Sequence, residues 1–315
     1  MNYSHLTQEE RYQIYTLLRE GFSTRHIALR LDRAPSTICR EIKRNKNRNG
    51  YFAKHAHKLA KRRQASNYKI VDSAIWEQVK SYLSLQWSPE QIASHVAVSM
   101  HSIYRYIQQD KRKGGYLYQH LRFRNQRKRK YGHPETRGKL NNRRSIHDRP
   151  QIIEQRSRFG DLEIDTIVGK NHQQSLVSIV DRKTGYLWLK KCMTRKSQDV
   201  GQATVDLLYP IKEELETITA DNGKEFSLHE QIATELDIDF YFADPYSAWQ
   251  RGTNENTNGL IRQYIGKGSD LSSYSDEYIA EITYRLNHRP RKRLGFKSPS
   301  QVLLQEHGVA LQMLI

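Results

Sequence analysis

Three carboxylates occupy places where an acid can carry chemistry rather than solubility. Asp165 lies within DLEIDTIVG beside Ile164, Ile167 and Val168. Asp221 closes TITAD ahead of Asn222 and Gly223, and Glu255 stands among Asn254, Asn256 and Asn258 in AWQRGTNENTNGLIRQYIGKG. Crowded carboxylates repel and raise one another's pKa unless a cation neutralises them. Oxygen donors without His or Cys nearby suit Mg²⁺ or Mn²⁺ rather than zinc. Each acid also has a plainer reading: Asp221 can make a DNG turn, Asp165 can face solvent on an edge strand, and Glu255 can favour a helix N-terminus electrostatically.

The surrounding elements must bring these acids together. RFGDLEIDTIVGKN, QSLVSIVDR and GYLWLKKC read as strands, the last two forming a hairpin about DRKTG. SQDVGQATVDLLYPIKEEL then reads as a helix, TITAD as a strand, HEQIATELDI as a helix and DFYFADP as a strand, with Glu255 opening a further helix. That order predicts an α/β domain with a mixed five-stranded sheet, consistent with a ribonuclease-H-like arrangement. Strand ends are where open α/β sheets build sites, so acids from two strands and one helix can converge. Asp161, Glu163 and Asp165 alternate onto one strand face.

A helix capped by Thr253 or Asn254 places Glu255, Asn258 and Arg262 on one face, with Leu260, Ile261, Tyr264 and Ile265 as its apolar stripe. Arg262 is then expected to grip a substrate phosphate. Glu163, Asn222, Lys224 and Asn258 are neighbours of second rank.

The N-terminal half repeats itself. FSTRHIALRLDRAPSTICREI at residues 22–42 aligns without a gap with WSPEQIASHVAVSMHSIYRYI at residues 87–107. Phe22 matches Trp87, Ser23 matches Ser88, and Ile27, Ile38 and Arg40 match Ile92, Ile103 and Arg105. Each copy has the grammar of a helix-turn-helix. Ser23 and Ser88 can cap the first helix, Pro89 suits a first helical position, and a second helix after a short turn buries Ile38 and Ile42 in the first copy. Its exposed side would offer Ser36, Thr37, Arg40, Lys43 and Arg44 to a major groove, and the second copy His101, Ser102 and Arg105. The alternative is a pair of helical hairpins in a bundle.

Charge agrees with a polyanion partner. The net charge is +18, and a surface of that size attracts nucleic acid at long range. It is unevenly spread: residues 1–110 carry 18 Lys and Arg against 9 Asp and Glu, residues 111–150 carry 14 against 2, and residues 151–315 carry 20 against 23. The basic half is therefore expected to hold double-stranded DNA and the slightly acidic half to do something else. Residues 111–150, broken by Gly and Pro, read as a basic connector ordered along DNA. Two cysteines are too few for a disulfide framework and lack zinc-site spacing. No run approaches the roughly 18 apolar residues of a membrane span, so a cytoplasmic protein without membrane attachment is expected.

DLEIDTIVG, TADNGKEF and QRGTNENTNGLIRQYI resemble the three catalytic blocks of DDE transposases, more narrowly the insertion-sequence-thirty family of bacterial elements. The 33 residues between Asp221 and Glu255 match that family's pattern. RLNHRPRKRLGFKSPSQVL resembles its C-terminal signature, while Gly266 stands where the family usually has proline. The resemblance covers nearly the whole chain. It implies a ribonuclease-H-like catalytic domain with Asp165, Asp221 and Glu255 as catalytic and metal-binding triad. Two Mg²⁺ (or Mn²⁺) ions roughly 3.5–4 Å apart would serve water in strand cleavage and the freed 3′-OH in strand transfer.

It further implies binding to terminal inverted repeats and action as a homo-oligomer, at least a dimer, at the bacterial nucleoid. The expected organisation is multidomain: helix-turn-helix units at residues 1–65 and 66–110, a connector at 111–155 and the catalytic domain at 156–315. Two other readings are a DNA-binding regulator with a non-catalytic assembly domain, and a nuclease that cleaves without joining.

Overall fold

A computed structural model describes residues 5–66, 71–122, 142–245 and 247–313. The chain divides into two compact units, Met1–Asp72 and Ser73–Ile315.

The first unit is helical: α1 (Gln8–Arg19), α2 (Thr24–Arg30), α3 (Pro35–Asn45) and α4 (Ala53–Ser66). Its boundaries follow capping chemistry. Thr7 and Glu10 form a reciprocal capping box on α1, and the Ser23 hydroxyl accepts from the His26 amide at the start of α2. Pro35 takes the first position of α3, where its missing N–H costs nothing. Ile14, Ile27, Ala28, Ile38 and Ala56 close the core, with Ile42 only partly buried beside it. Arg11 donates to the Glu41 carboxylate at 2.7 Å within this core, tying α1 to α3.

The second unit opens with the repeated motif: α5 (Ser73–Ser84), α6 (Pro89–Ala93) and α7 (Met100–Arg112). Ser88 and Gln91 form a capping box on α6, with Pro89 at the first position, and Ile92, Ile103 and Ile107 are buried. Then come β1 (Arg144–Ser145), α8 (Gln151–Gln155), β2 (Asp161–Val168), β3 (Ser175–Asp181), β4 (Leu187–Cys192), α9 (Ser197–Leu208), β5 (Thr217–Ala220), α10 (His229–Leu236), β6 (Asp239–Phe242), α11 (Gly252–Ile261), α12 (Asp276–Asn287) and α13 (Pro299–Met313).

The sheet has six strands in the order β1-β6-β5-β2-β3-β4. β2, β3 and β4 run antiparallel as a meander, and β2, β5 and β6 run parallel. The five expected strands and their order along the chain are all present, and their mixed pairing is the ribonuclease-H-like arrangement. The sixth strand corrects the expected count. Residues 144–145 pair parallel with Tyr241 and Phe242 of β6, and α8 follows, so this end of the basic stretch is built into the sheet edge. Residues 123–141 of the expected connector lie outside the described residues. Two-residue strands carry too little periodicity to be read from sequence.

Side-chain alternation along β2 divides the core. Leu162 and Ile164 face a cluster with Val200, Leu208, Ile218, Ile232 and Phe240 under α9 and α10. Ile167 faces the other way, into a cluster with Leu260, Ile261, Leu271, Ile282 and Leu286 under α11 and α12. Asp161, Glu163 and Asp165 share that second face.

The start of β2 depends on Gly160. Its φ is +92°, and a Cβ there would stand 2.1 Å from the Glu214 carbonyl oxygen, while its own carbonyl accepts from the amides of Glu216 and Thr217. Gly160→Ala is expected to destabilise the second unit by more than about 2 kcal/mol, because left-handed backbone strain and a backbone clash coincide. A lowered urea midpoint with unchanged slope would register it; an unchanged midpoint would contradict it.

The signature near the C-terminus fastens two parts of this unit. The Asn287 side chain donates to the Leu187 carbonyl at 2.9 Å and accepts from the Leu187 amide at 2.8 Å, completing the edge of β4. Arg289 donates to the Gln91 side chain at 3.0 Å, and Lys292 meets Glu90 at 2.6 Å. The first helix of the second helix-turn-helix is thus bracketed to the loop after α12.

Candidate active site

Register brings two of the acids together. The parallel pairing of β2 with β5 ends at Glu163 opposite Thr219, and two residues further along each strand stand Asp165 and Asp221. Neighbouring parallel strands lie about 4.8 Å apart with aligned side-chain faces, so these two carboxylates point to the same side at the same height.

Their oxygens converge on one cation. Arg251, in the 3₁₀ turn before α11, places Nη1 3.4 Å from Asp165 Oδ2 and Nη2 3.5 Å from Asp221 Oδ2, and Nη1 also donates to the Ile164 carbonyl at 3.0 Å. The guanidinium side chain is only 10% exposed. Two carboxylate oxygens aimed at one positive group form a hard-oxygen donor pair of the kind Mg²⁺ takes. Asp165 is held from other sides as well: Oδ1 accepts from the Thr166 amide at 2.8 Å and Oδ2 from Asn258 Nδ2 at 3.0 Å.

α11 reaches the sheet through its asparagines. It begins at Gly252, so neither Thr253 nor Asn254 is its cap, and no side chain caps it. Asn254 is instead fully buried inside the first turn. Its backbone amide donates to Glu163 Oε2 at 2.8 Å, and its side-chain amide donates to the Glu163 and Ser178 carbonyls, each at 3.0 Å. The Ser178 hydroxyl donates to Asn258 Oδ1 at 2.8 Å, which turns the Asn258 amide group toward Asp165. Asn258 shares the sheet-facing side with Asn254.

Glu255 is exposed on the first turn of α11. Among the described residues no three His, Cys, Asp or Glu side chains gather closely enough to hold a metal ion. The structure therefore brings Asp165 and Asp221 together and does not gather Glu255 with them. Glu163 belongs to the frame: it is fully buried and bonded to Arg182 at 2.8 Å as well as to Asn254. Asn222 donates to the Ala243 carbonyl and accepts from Arg143, and Lys224 is exposed. Arg262 donates to the Gly266 and Val168 carbonyls, tying the end of α11 to the end of β2.

On α3, Ser36, Arg40, Lys43 and Arg44 are exposed and Thr37 is half-buried. On α7, His101 and Arg105 are exposed, and Ser102 shares a hydrogen bond with the capping Ser99.

Sequence reasoning passed over Arg251, Ser178 and Glu225. Ser178 stands directly opposite Asp165 in the antiparallel register, the one polar interruption of SLVSIV on that face. Glu225 accepts from Thr166 at 2.8 Å and from Arg195 at 3.2 Å. Burial pushes its carboxyl upward, but its own backbone hydrogen bond, Thr166 and Arg195 outweigh that and hold it below the usual range.

Burial pushes the Asp165 carboxyl up to about 6, against the pull of Arg251 and with the push of Asp221. The folded, metal-free protein thus keeps a proton that the unfolded chain has already lost. This contribution to stability is complete below about pH 4 and is lost as pH rises through 6, a change on the order of 2–3 kcal/mol. Asp165→Asn abolishes the titration, so in EDTA its melting temperature relative to wild type should climb between pH 4.5 and 7.5. A flat difference would show that the carboxyl is not held this way.

The second unit thus joins a helix-turn-helix to a ribonuclease-H-like sheet whose central parallel strands present paired aspartates. Comparisons with known proteins identify its relatives. A helix-turn-helix domain family matches residues 2–45. The transposase for insertion sequence element IS4351 of Bacteroides fragilis is 43% identical over 312 residues, covering 96% of each chain. Transposase InsI for element IS30A of Escherichia coli is 35% identical over 331 residues, covering 98% of this chain and 85% of that one. The catalytic core domain of BIV integrase aligns with 48% of this chain and 98% of its own, at 15% identity and a TM-score of 0.37. The chain belongs to the family of insertion sequence transposases that includes those of IS4351 and IS30.

Proposed function

We propose that this protein binds the terminal inverted repeats of an insertion sequence, cleaves the DNA strand with water and joins the freed 3′-OH to target DNA. Asp165, Asp221 and Glu255 form its catalytic triad in this reading. The observation that carries it is the convergence of Asp165 and Asp221 on one cationic point at matched register of adjacent parallel strands. Asp165 and Asp221 would hold divalent cations, Mg²⁺ or Mn²⁺, with Glu255 completing the donor set. Bound there, such ions would supply Lewis-acid stabilisation of the phosphate and a lowered pKa for the attacking water.

The chain's own residues prepare that chemistry. Asn258, oriented by Ser178, fixes the rotamer of Asp165. Arg251 offsets the repulsion between the two aspartates, and Asn254 anchors to the sheet the helix whose first turn carries Glu255. Ser36, Thr37, Arg40, Lys43 and Arg44 of α3, with His101, Ser102 and Arg105 of α7, would meet the double-stranded repeat. The functional division is residues 1–65 and 66–110 for DNA recognition, 111–155 as a connector whose end from Arg144 is built into the sheet edge, and 156–315 for catalysis. The active species is a homo-oligomer on DNA, working in the cytoplasm. Among the described residues no helix is long and apolar enough to cross a membrane.

The test is incubation of the full-length protein with Mg²⁺ and linear DNA carrying the element ends. Nicking at the ends and joining to a second DNA support the proposal, with loss of both in Glu255→Gln. Binding of the ends without either reaction would favour a DNA-binding regulator, and cleavage without joining would favour a nuclease.

A further inference from the structure

A pocket opens beside the N-terminus of α11. It has a volume of about 340 Å³, and its lining includes Arg156, Arg291 and Arg293 with Gly252, Thr253 and Asn256. Three guanidiniums around one space repel one another, and among the described residues none of the three stands within ion-pair distance of a carboxylate. Arg291 spends Nη2 on the Leu286 carbonyl at 2.9 Å, and Arg293 spends Nη1 on the Lys183 carbonyl at 2.8 Å. Burial, together with Arg289 and Arg293, pushes Arg291 down to about 9, so its charge lacks compensation in the protein as it stands.

Two further features point to an anion. Thr253, a residue of the pocket wall, is 8% exposed, and its hydroxyl has no hydrogen-bond partner within the protein. A buried hydroxyl without a partner is unfavourable, and a ligand that accepts from it would relieve that cost. The ten-residue helix α11 also presents the positive end of its dipole here, a setting that favours phosphate groups.

We propose that this pocket is a phosphate-binding site that holds a backbone phosphodiester of the DNA strand entering the active site. Planar guanidiniums suit phosphate oxygens in paired geometry, and Thr253 donates the remaining hydrogen bond. The same helix carries Asn258 against Asp165 on its other side, so one helix links the pocket to the paired aspartates. The choice of DNA rests on the function proposed above; the anion site itself does not.

Thermal melting of the full-length protein in inorganic phosphate, against chloride of equal ionic strength, tests the pocket. Salt titration of duplex binding tests the source of the phosphate. Wild type should melt several degrees higher in phosphate, and Thr253→Val and Arg293→Gln should lose that gain. Arg293→Gln should also lower the slope of log K against log salt by about one, the mark of one lost phosphate contact.

Equal stabilisation of wild type and both variants, or none in wild type, would overturn the pocket. Stabilisation lost in the variants with an unchanged salt slope would reject DNA in favour of a free phosphate ligand. Neither readout needs turnover, so a failure of the catalytic reading would leave this result readable.

Discussion

Asp165→Asn is expected to bind element ends with wild-type affinity and to cleave them at least about 10³-fold more slowly. That factor corresponds to roughly 4 kcal/mol of lost transition-state stabilisation. The amide keeps the volume and most contacts of the carboxylate but removes one of the two charges that meet at Arg251. Unfolding would not explain the loss, because removing a carboxyl that burial holds up to about 6 relieves a cost at neutral pH. The variant should melt at or above the wild-type temperature in EDTA. Asp221→Asn should behave alike in cleavage. Cleavage within tenfold of wild type in either variant, measured on pre-nicked and intact ends, would remove that aspartate from the triad.

Arg182→Met is expected to cost about 3–5 kcal/mol of stability. Arg182 is 2% exposed and donates to Glu163 at 2.8 Å, to Glu154 at 3.2 Å and to the Ile153 carbonyl at 3.2 Å. Without it, Glu163 becomes an unpaired charge at zero exposure, and Glu163 is also the acceptor that receives the Asn254 amide. The loss should therefore loosen the start of α11 as well as β2. Adding Glu163→Gln to Arg182→Met should recover part of the stability, since the second change removes the stranded charge. A double-mutant cycle from urea unfolding gives the coupling, and strictly additive effects would show that the two side chains do not depend on one another.

The sequence patterns carried the five main strands, their order and the helix-turn-helix copies, because alternating and helical apolar spacings extend over enough residues there to be distinctive. Asp165 and Asp221 were legible as acids out of place, and their adjacency follows once β2 and β5 pair in parallel. Arg251 was not legible. Its role depends on two carboxylates 86 and 30 residues upstream, and nothing local separates it from a solvated arginine.

The cap of α11 was misread for a related reason. Thr253 and Asn254 are good caps by type, but the 3₁₀ turn at Ala248–Arg251 runs straight into the helix. Asn254 then serves the sheet rather than its own helix. β1 escaped notice because two residues show no period, and Ser178 because a lone serine in a buried strand signals nothing until Asp165 stands across from it.

The bracket between the second helix-turn-helix and the loop after α12 gives the molecule a ruler. Glu90 and Gln91 grip Lys292, Arg289 and the Pro290 carbonyl, and Arg289 reaches on to Gln263, just past the end of α11. The second helix-turn-helix and the helix that carries Glu255 are thus graduations on one scale. If the proposed function holds, the number of base pairs from the sequence met by α7 to the bond that is cut would be fixed by protein length, and DNA with extra bases inserted between the two would be gripped correctly and cut in the wrong place.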